Sequence, residues 1–226
     1  YIRLKRVKLN GRGAKRDVRL VQGDLLQLYI NDEFFQTPTP ENAFLSLYQP
    51  KLTILYEDEH ILLVDKRPGL VVHPDETERV NTLITHIQAY LYQKKEWSPY
   101  QEGAFAPALC NRIDRNTGGI VIAAKTAEGL RVMNQKIKDR ELNKYYLCVV
   151  QGRMSPPKGK LEGFLFKDEV KKQVYVTDRP QPGAKTAVTL YRTLASEHGL
   201  SLVECELVTG RTHQIRAQFA HAGHPL

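Results

Sequence analysis

Cysteine is scarce in this chain, and the three present form no pattern. Cys110, Cys148 and Cys205 are odd in number, widely spaced and set among apolar residues, which argues against both a disulfide framework and a zinc site. No stretch approaches the roughly 18 consecutive apolar residues of a membrane span. The first 19 residues are polar and basic, without the apolar core of a secretory signal. A reduced, cytoplasmic setting away from membranes is the expectation. A glycine-rich phosphate loop and a metal-ligand cluster are also missing from the sequence, so no cofactor and no metal are expected.

What is present fits a globular protein. The 226 residues can bury one full core and a small appendage, and 42% apolar with 26% charged residues is ordinary for such a chain. The net charge of +8 is unevenly spread. Residues 1–30 hold eight basic side chains against Asp17 and Asp24, a net of +6, leaving +2 for the rest. Such a lopsided basic segment is the footprint of a polyanion binder, because each phosphate neutralised releases condensed counterions. Arg3, Lys5, Arg6 and Lys8 are the expected polyanion contacts.

Along the chain, VKLNGRGAKRDVRLVQGDLLQLYI alternates apolar and polar residues around Asn-Gly and Gly-Asp turns, which predicts short antiparallel strands. Residues 31–50 lose that pattern and carry Pro38, Pro40 and Pro50, and they read as a linker. Beyond it, LTILYEDEHILLVDK reads as two strands about an acidic turn. Asn81 or Thr82 caps a helix over LITHIQAYLYQ, with Leu83, Ile84, Ile87 and Leu91 on one face. Ile120 to Ala124 reads as a buried strand, and Thr126 as the cap of a helix over AEGLRVMNQKIKDREL with Leu130, Met133 and Ile137 inward. KYYLCVV reads as another buried strand. His198-Gly199 marks a hairpin turn between two later strands. Sheet and helix alternate without a regular repeat, which predicts an α+β fold built on a mixed, mainly antiparallel sheet with packed helices.

The stretch NRIDRNTGG, Asn111 to Gly119, stands out. It sets the carboxylate of Asp114 between Arg112 and Arg115 in a loop anchored on a strand, where chemistry tends to sit. Flanking cations favour the ionised carboxylate, and an ionised Asp suits a nucleophile better than a proton donor. Near the end, GRTHQIRAQFAHAGHPL reads as a short helix capped by Thr212. There His213, Arg216 and Phe219 share one face at three-residue spacing. By spacing alone that trio reads as structural, with Phe219 in the core and Arg216 reaching solvent. The histidines His213, His221 and His224 fit no familiar zinc spacing.

Together these blocks carry a resemblance. NRIDRNTGGIVIAAKT resembles the signature block of the RluA-type pseudouridine synthases, usually written HRLD, two variable residues, then TSG. VDKRPGLVVHP, RELNKYYLCVVQG and GRTHQIRAQFAHAGHPL are similar to that family's other motifs and follow in its order, so the likeness spans about Leu52 to Leu226. The basic segment 1–30 is similar to the second half of the small RNA-binding domain shared with a ribosomal protein. The resemblance implies a catalytic domain over residues 51–226, continuing past Leu226 in the family, behind a partial RNA-binding domain at 1–30 and a linker at 31–50.

The resemblance also implies roles. Asp114 is the catalytic aspartate, Tyr146 the active-site tyrosine that packs on the target uracil, and Arg216 the arginine that pairs with the aspartate. Arg112 fills the helix space left by a flipped nucleotide. Thr117, Lys144, Arg211, Ile215 and Phe219 are further implied substrate contacts. The chain departs from the pattern at Asn111, where the family usually has His, and at Gly118, where it usually has Ser. The implied enzyme is a monomer acting on ribosomal RNA, or on transfer RNA, without cofactor. The alternative is a non-catalytic RNA-binding or ribosome-assembly factor on the same fold, and a nucleoside hydrolase would want a second carboxylate.

Overall fold

The computed structural model describes residue 2 and residues 4–29, 42–168 and 173–226. Arg3, an expected RNA contact, and residues 31–41 of the expected linker lie outside them. The chain divides into two compact units, Tyr1–Ala127 and Glu128–Leu226. The elements are α+β, with antiparallel sheets and three α-helices among the described residues.

The first unit opens with a three-stranded sheet of β1 (Val7–Leu9), β2 (Arg12–Gly13) and β3 (Leu26–Leu28), in order β2-β1-β3. The expected Asn-Gly turn joins β1 to β2. Asn10 and Gly11 take φ of 49° and 78°, as a two-residue hairpin turn of this hand requires. Asn10 also accepts from the Leu25 amide at 2.8 Å and donates to Asp24 at 2.7 Å, which ties β1 to the turn before β3.

A second sheet follows in order β4-β5-β7-β6, from β4 (Thr53–Glu57), β5 (Ile61–Lys66), β6 (Ala108–Leu109) and β7 (Gly119–Ala124). The acidic turn between β4 and β5 is closed by Asp58, whose Oδ1 accepts from the amides of His60 and Ile61. In β7, Val121, Ala123 and Ala124 are buried while Ile120 is 53% exposed. The expected buried strand is thus largely buried, with Ile120 near its start open to solvent.

Helix α1 (Leu83–Gln93) starts at Thr82, whose backbone is extended and whose hydroxyl accepts from the Thr85 amide, as an N-cap should. All four predicted face residues are buried, along with Thr85, His86 and Ala89. Part of the expected linker is packed rather than free. A 3-10 turn over Ala43–Ser46 buries Phe44 edge-on to Tyr92 and Trp97, with ring centroids 5.0 and 5.2 Å away. The apolar Ala43-Phe44-Leu45 run outweighs the nearby prolines.

The second unit holds most of α2 (Ala127–Lys138) and a five-stranded antiparallel sheet in order β10-β9-β11-β12-β8. Its strands are β8 (Tyr145–Gln151), β9 (Lys158–Asp168), β10 (Gln173–Thr177), β11 (Lys185–Glu197) and β12 (Leu200–Leu207). His198 and Gly199 make the predicted hairpin turn between β11 and β12. Helix α2 stops at Lys138, short of the expected Leu142, and Leu130, Met133 and Ile137 are only half-buried. Strand β8 lies at the end of its sheet and exposes Tyr145, Leu147 and Val149, so the expected buried strand buries one face only.

Helix α3 (Gln214–His221) packs on that sheet through Phe219, which is fully buried and meets Tyr191 edge-on at 5.9 Å. The helix is not capped by Thr212. His213 takes the N-cap position with φ of 53°, a left-handed kink that begins the helix one residue later than expected.

Candidate active site

The loop carrying Asp114 joins β6 to β7 and is fastened at its start to the strand it enters. The Cys110 amide donates to the Ile122 carbonyl at 2.8 Å. The side chain of Asn111 then behaves like a strand residue: Oδ1 accepts from the Ile122 amide at 2.8 Å and Nδ2 donates to the Ile120 carbonyl at 3.2 Å. The Asn that departs from the family pattern is therefore engaged in backbone pairing. Within the loop Ile113 is buried, Asp114 half-buried, and the Thr117 amide closes a turn on the Asp114 carbonyl at 3.1 Å.

The far side of the loop is held by a lysine. Strand alternation in β5 turns Leu62, Val64 and Lys66 to the same buried face, at 0%, 1% and 1% exposure. An ammonium so placed needs acceptors for its protons. Lys66 Nζ finds three carbonyls, those of Arg67 at 3.1 Å, Leu70 at 2.8 Å and Arg115 at 2.9 Å. Gly69, with φ of 88°, adds its amide to the same Arg115 carbonyl at 2.8 Å. Burial pushes the Lys66 ammonium below its usual pKa, and the nearby Asp114 carboxylate opposes that shift.

Position 118 is where the two loops touch. A Cβ there would lie 3.2 Å from Cδ of Pro68 and 3.4 Å from the Lys66 carbonyl, so Gly118 permits the close approach.

The two arginines do not simply flank Asp114 as the sequence suggested. Arg115 sends Nη2 to Asp75 Oδ2 at 3.2 Å and to Thr77 Oγ1 at 2.7 Å. Arg112 is exposed. Burial, and then the Arg112 charge, hold the imidazole of His73 below its ordinary pKa.

In the second unit, Tyr146 is half-buried on β8 opposite Cys205, and it packs with Ile215 against the core of Val150, Tyr191, Val203 and Phe219. Phe219, an expected substrate contact, is 0% exposed. It belongs to the core and can support substrate-facing groups only from behind. Arg216 is exposed one turn earlier on α3. Lys144 is half-buried beside Gly210, and Arg211 donates through Nε to the Thr186 carbonyl at 3.2 Å.

Two glutamines that the sequence reading passed over fix α3 to the sheet. Gln214 donates to the Val188 carbonyl and the Thr189 hydroxyl, and accepts from the Thr209 hydroxyl and the Arg211 amide. Gln218 donates to the Leu161 and Ala187 carbonyls and accepts from Thr189 at 2.6 Å. Both are about 2% exposed. Their four-residue spacing, in line with the buried stripe, was the available signal.

Of the basic N-terminal contacts, Lys5 and Arg6 are exposed, and Lys8 holds its ammonium 4.8 Å from the Tyr29 ring centre. His221 pairs with Asp178 and His224 with the Gln151 carbonyl. Among the described residues no three His, Cys, Asp or Glu side chains form a metal-ligand group.

Residues 60–221 match the family model of RNA pseudouridylate synthase. The chain is 30% identical over 222 residues to an uncharacterised RNA pseudouridine synthase of Bacillus subtilis, covering 97% of this chain and 68% of that protein. A ribosomal large subunit pseudouridine synthase D of Zymomonas mobilis is 34% identical over 189 residues, or 84% of this chain and 58% of that one. In structure, the chain is similar to human RNA pseudouridylate synthase domain containing 4, with a TM-score of 0.61 and 22% identity over 82% of this chain and 69% of that chain.

Proposed function

From the premise that this chain belongs to the RNA pseudouridylate synthase family, we propose that it converts uridine to pseudouridine in structured RNA with Asp114 as the catalytic carboxylate. The observation that carries this reading is the bracing of the Asp114 loop, by Asn111 at its start and by Lys66 through the Arg115 carbonyl. A loop held on both sides limits where its carboxylate can sit, which is what positioning for attack requires.

The reaction breaks the bond from uracil N1 to ribose C1′, turns the base, and joins C5 to C1′. The proton leaves C5 and N1 gains one, so nothing is oxidised and no group is transferred away. Asp114 has three chemical routes: attack on C1′, removal of a ribose proton to give a glycal, or addition to uracil C6. In each, water must be kept from the site while the detached base turns.

The target is buried in stacked RNA, so its nucleotide is flipped out. Stacking on Tyr146 offsets part of an unstacking cost of a few kcal/mol. The roles we assign to Arg216, as the partner of Asp114, and to Arg112, as the filler of the gap left in the RNA, follow the family resemblance, and Thr117, Lys144, Arg211 and Ile215 are assigned to substrate contact on the same ground. Residues 1–30 dock the RNA through Arg3, Lys5, Arg6 and Lys8, ahead of a catalytic domain over 51–226. The name of the Zymomonas mobilis relative supports large-subunit ribosomal RNA as the substrate.

Incubation with ribosomal RNA carrying tritium at uridine C5 tests the activity. Tritium release with pseudouridine in the digest is expected. Free uracil would instead mark a hydrolase.

A further inference from the structure

Beyond the groups placed against uridine, we infer that Asp75 is a positioning residue that acts through Arg115 to hold the Asp114 loop. This rests on the reading of Asp114 as the catalytic carboxylate. Arg115 follows Asp114 directly, and three segments grip it. Its carbonyl takes the Lys66 ammonium and the Gly69 amide, while its guanidinium takes Asp75 and Thr77.

Asp75 does two jobs with its two oxygens. Oδ1 accepts from the Thr77 amide, the Thr77 hydroxyl and the Glu78 amide, which fastens the 75–78 turn. Oδ2 reaches Arg115. The turn is itself tied down, because Glu78 Oε1 accepts from the amides of Val80 and Asn81 just before the Thr82 cap of α1. A chain of hydrogen bonds thus runs from the start of α1 through Asp75 to the residue beside Asp114.

Energy decides what this pair is for. The Arg115 and Asp75 side chains are 45% and 47% exposed, and an ion pair so open contributes little to stability. Fixing the azimuth of a loop is a different matter. Small misplacements of a reacting group lower rate far more than they lower stability.

Asp75→Asn separates the two jobs, since the amide oxygen can still close the turn while the charge facing Arg115 is lost. We compare Asp75→Asn, Arg115→Ala and the double variant on tritium-labelled RNA, with melting curves for each and with Asp114→Asn alongside. The expected result is a fall in kcat of about tenfold for Asp75→Asn, KM within about twofold, an unchanged melting temperature, and a double variant no slower than Arg115→Ala. An Asp75→Asn enzyme at wild-type kcat, a loss confined to KM, or multiplying effects in the double variant would overturn the inference. Activity surviving in Asp114→Asn would instead overturn the assignment of Asp114 on which it stands.

Discussion

The ammonium of Lys66 donates to the backbone carbonyl of Arg115 at 2.9 Å, across 49 residues of sequence. That bond joins the end of β5 to the loop of Asp114. It also explains how a lysine can be 1% exposed, because two further carbonyls complete its shell.

Lys66→Met keeps the length of the side chain and removes the cation. The three carbonyls lose a charged donor, and the variant is expected to unfold with about 3 kcal/mol less stability in urea. A loss under about 1 kcal/mol would show that water replaces the ammonium at little cost.

Gln218→Leu tests the fastening of α3. It takes away the acceptor of the Thr189 O–H in a fully buried setting, where Gln214 still donates to the same oxygen, and removes donors from two carbonyls. An expected cost of about 2 kcal/mol follows from leaving buried polar groups unpaired. Unchanged stability in the same urea titration would contradict it.

Acid should weaken the first unit in a defined window. Burial of Glu57 works against its charge, but hydrogen bonds from Lys94, Lys125 and Tyr90 more than offset this and hold its carboxyl at about 2. The Glu57 carboxyl binds protons more weakly when folded. Its contribution is therefore complete above about pH 4.5 and is lost as pH falls from there toward 2. Urea midpoints at pH 6, 4 and 3 should drop in that order, and less so in Glu57→Gln. A flat series would contradict the assignment.

Deleting residues 1–30 should weaken RNA binding and flatten its salt dependence. Losing phosphate contacts from Arg3, Lys5, Arg6 and Lys8 lowers the log-log slope by roughly 2 to 4. A slope unchanged by the deletion would mean that the RNA docks elsewhere.

Much of the secondary structure was legible from local pattern. The Asn10-Gly11 turn, the Thr82 cap and the His198-Gly199 hairpin each follow from residue types whose backbone preferences act over a few positions. Burial was less legible, since it depends on neighbours. Ile120 and the β8 residues Leu147 and Val149 look like core in sequence, yet they are exposed, Ile120 near the start of β7 and the other two on the open face of an edge strand. Phe219 reads as core by its spacing and is core, packed edge-on against Tyr191, so what fails is the substrate contact that the resemblance implied for it.

At the site, the motif around Asp114 was readable, but its supports were not. Lys66 reaches the Arg115 carbonyl, and Asp75 the Arg115 guanidinium, from segments distant in sequence, so no spacing announces them. The same holds for Cys148 and Cys205, which sit 57 residues apart in sequence and bring their sulfurs to 3.7 Å across neighbouring strands.

The most direct test replaces one atom of the proposed carboxylate. Asp114→Asn should fold with the wild-type melting curve, bind RNA, and release no tritium from labelled uridine above background, because an amide neither attacks nor takes a proton. Turnover near the wild-type rate in that variant would contradict the account at its centre.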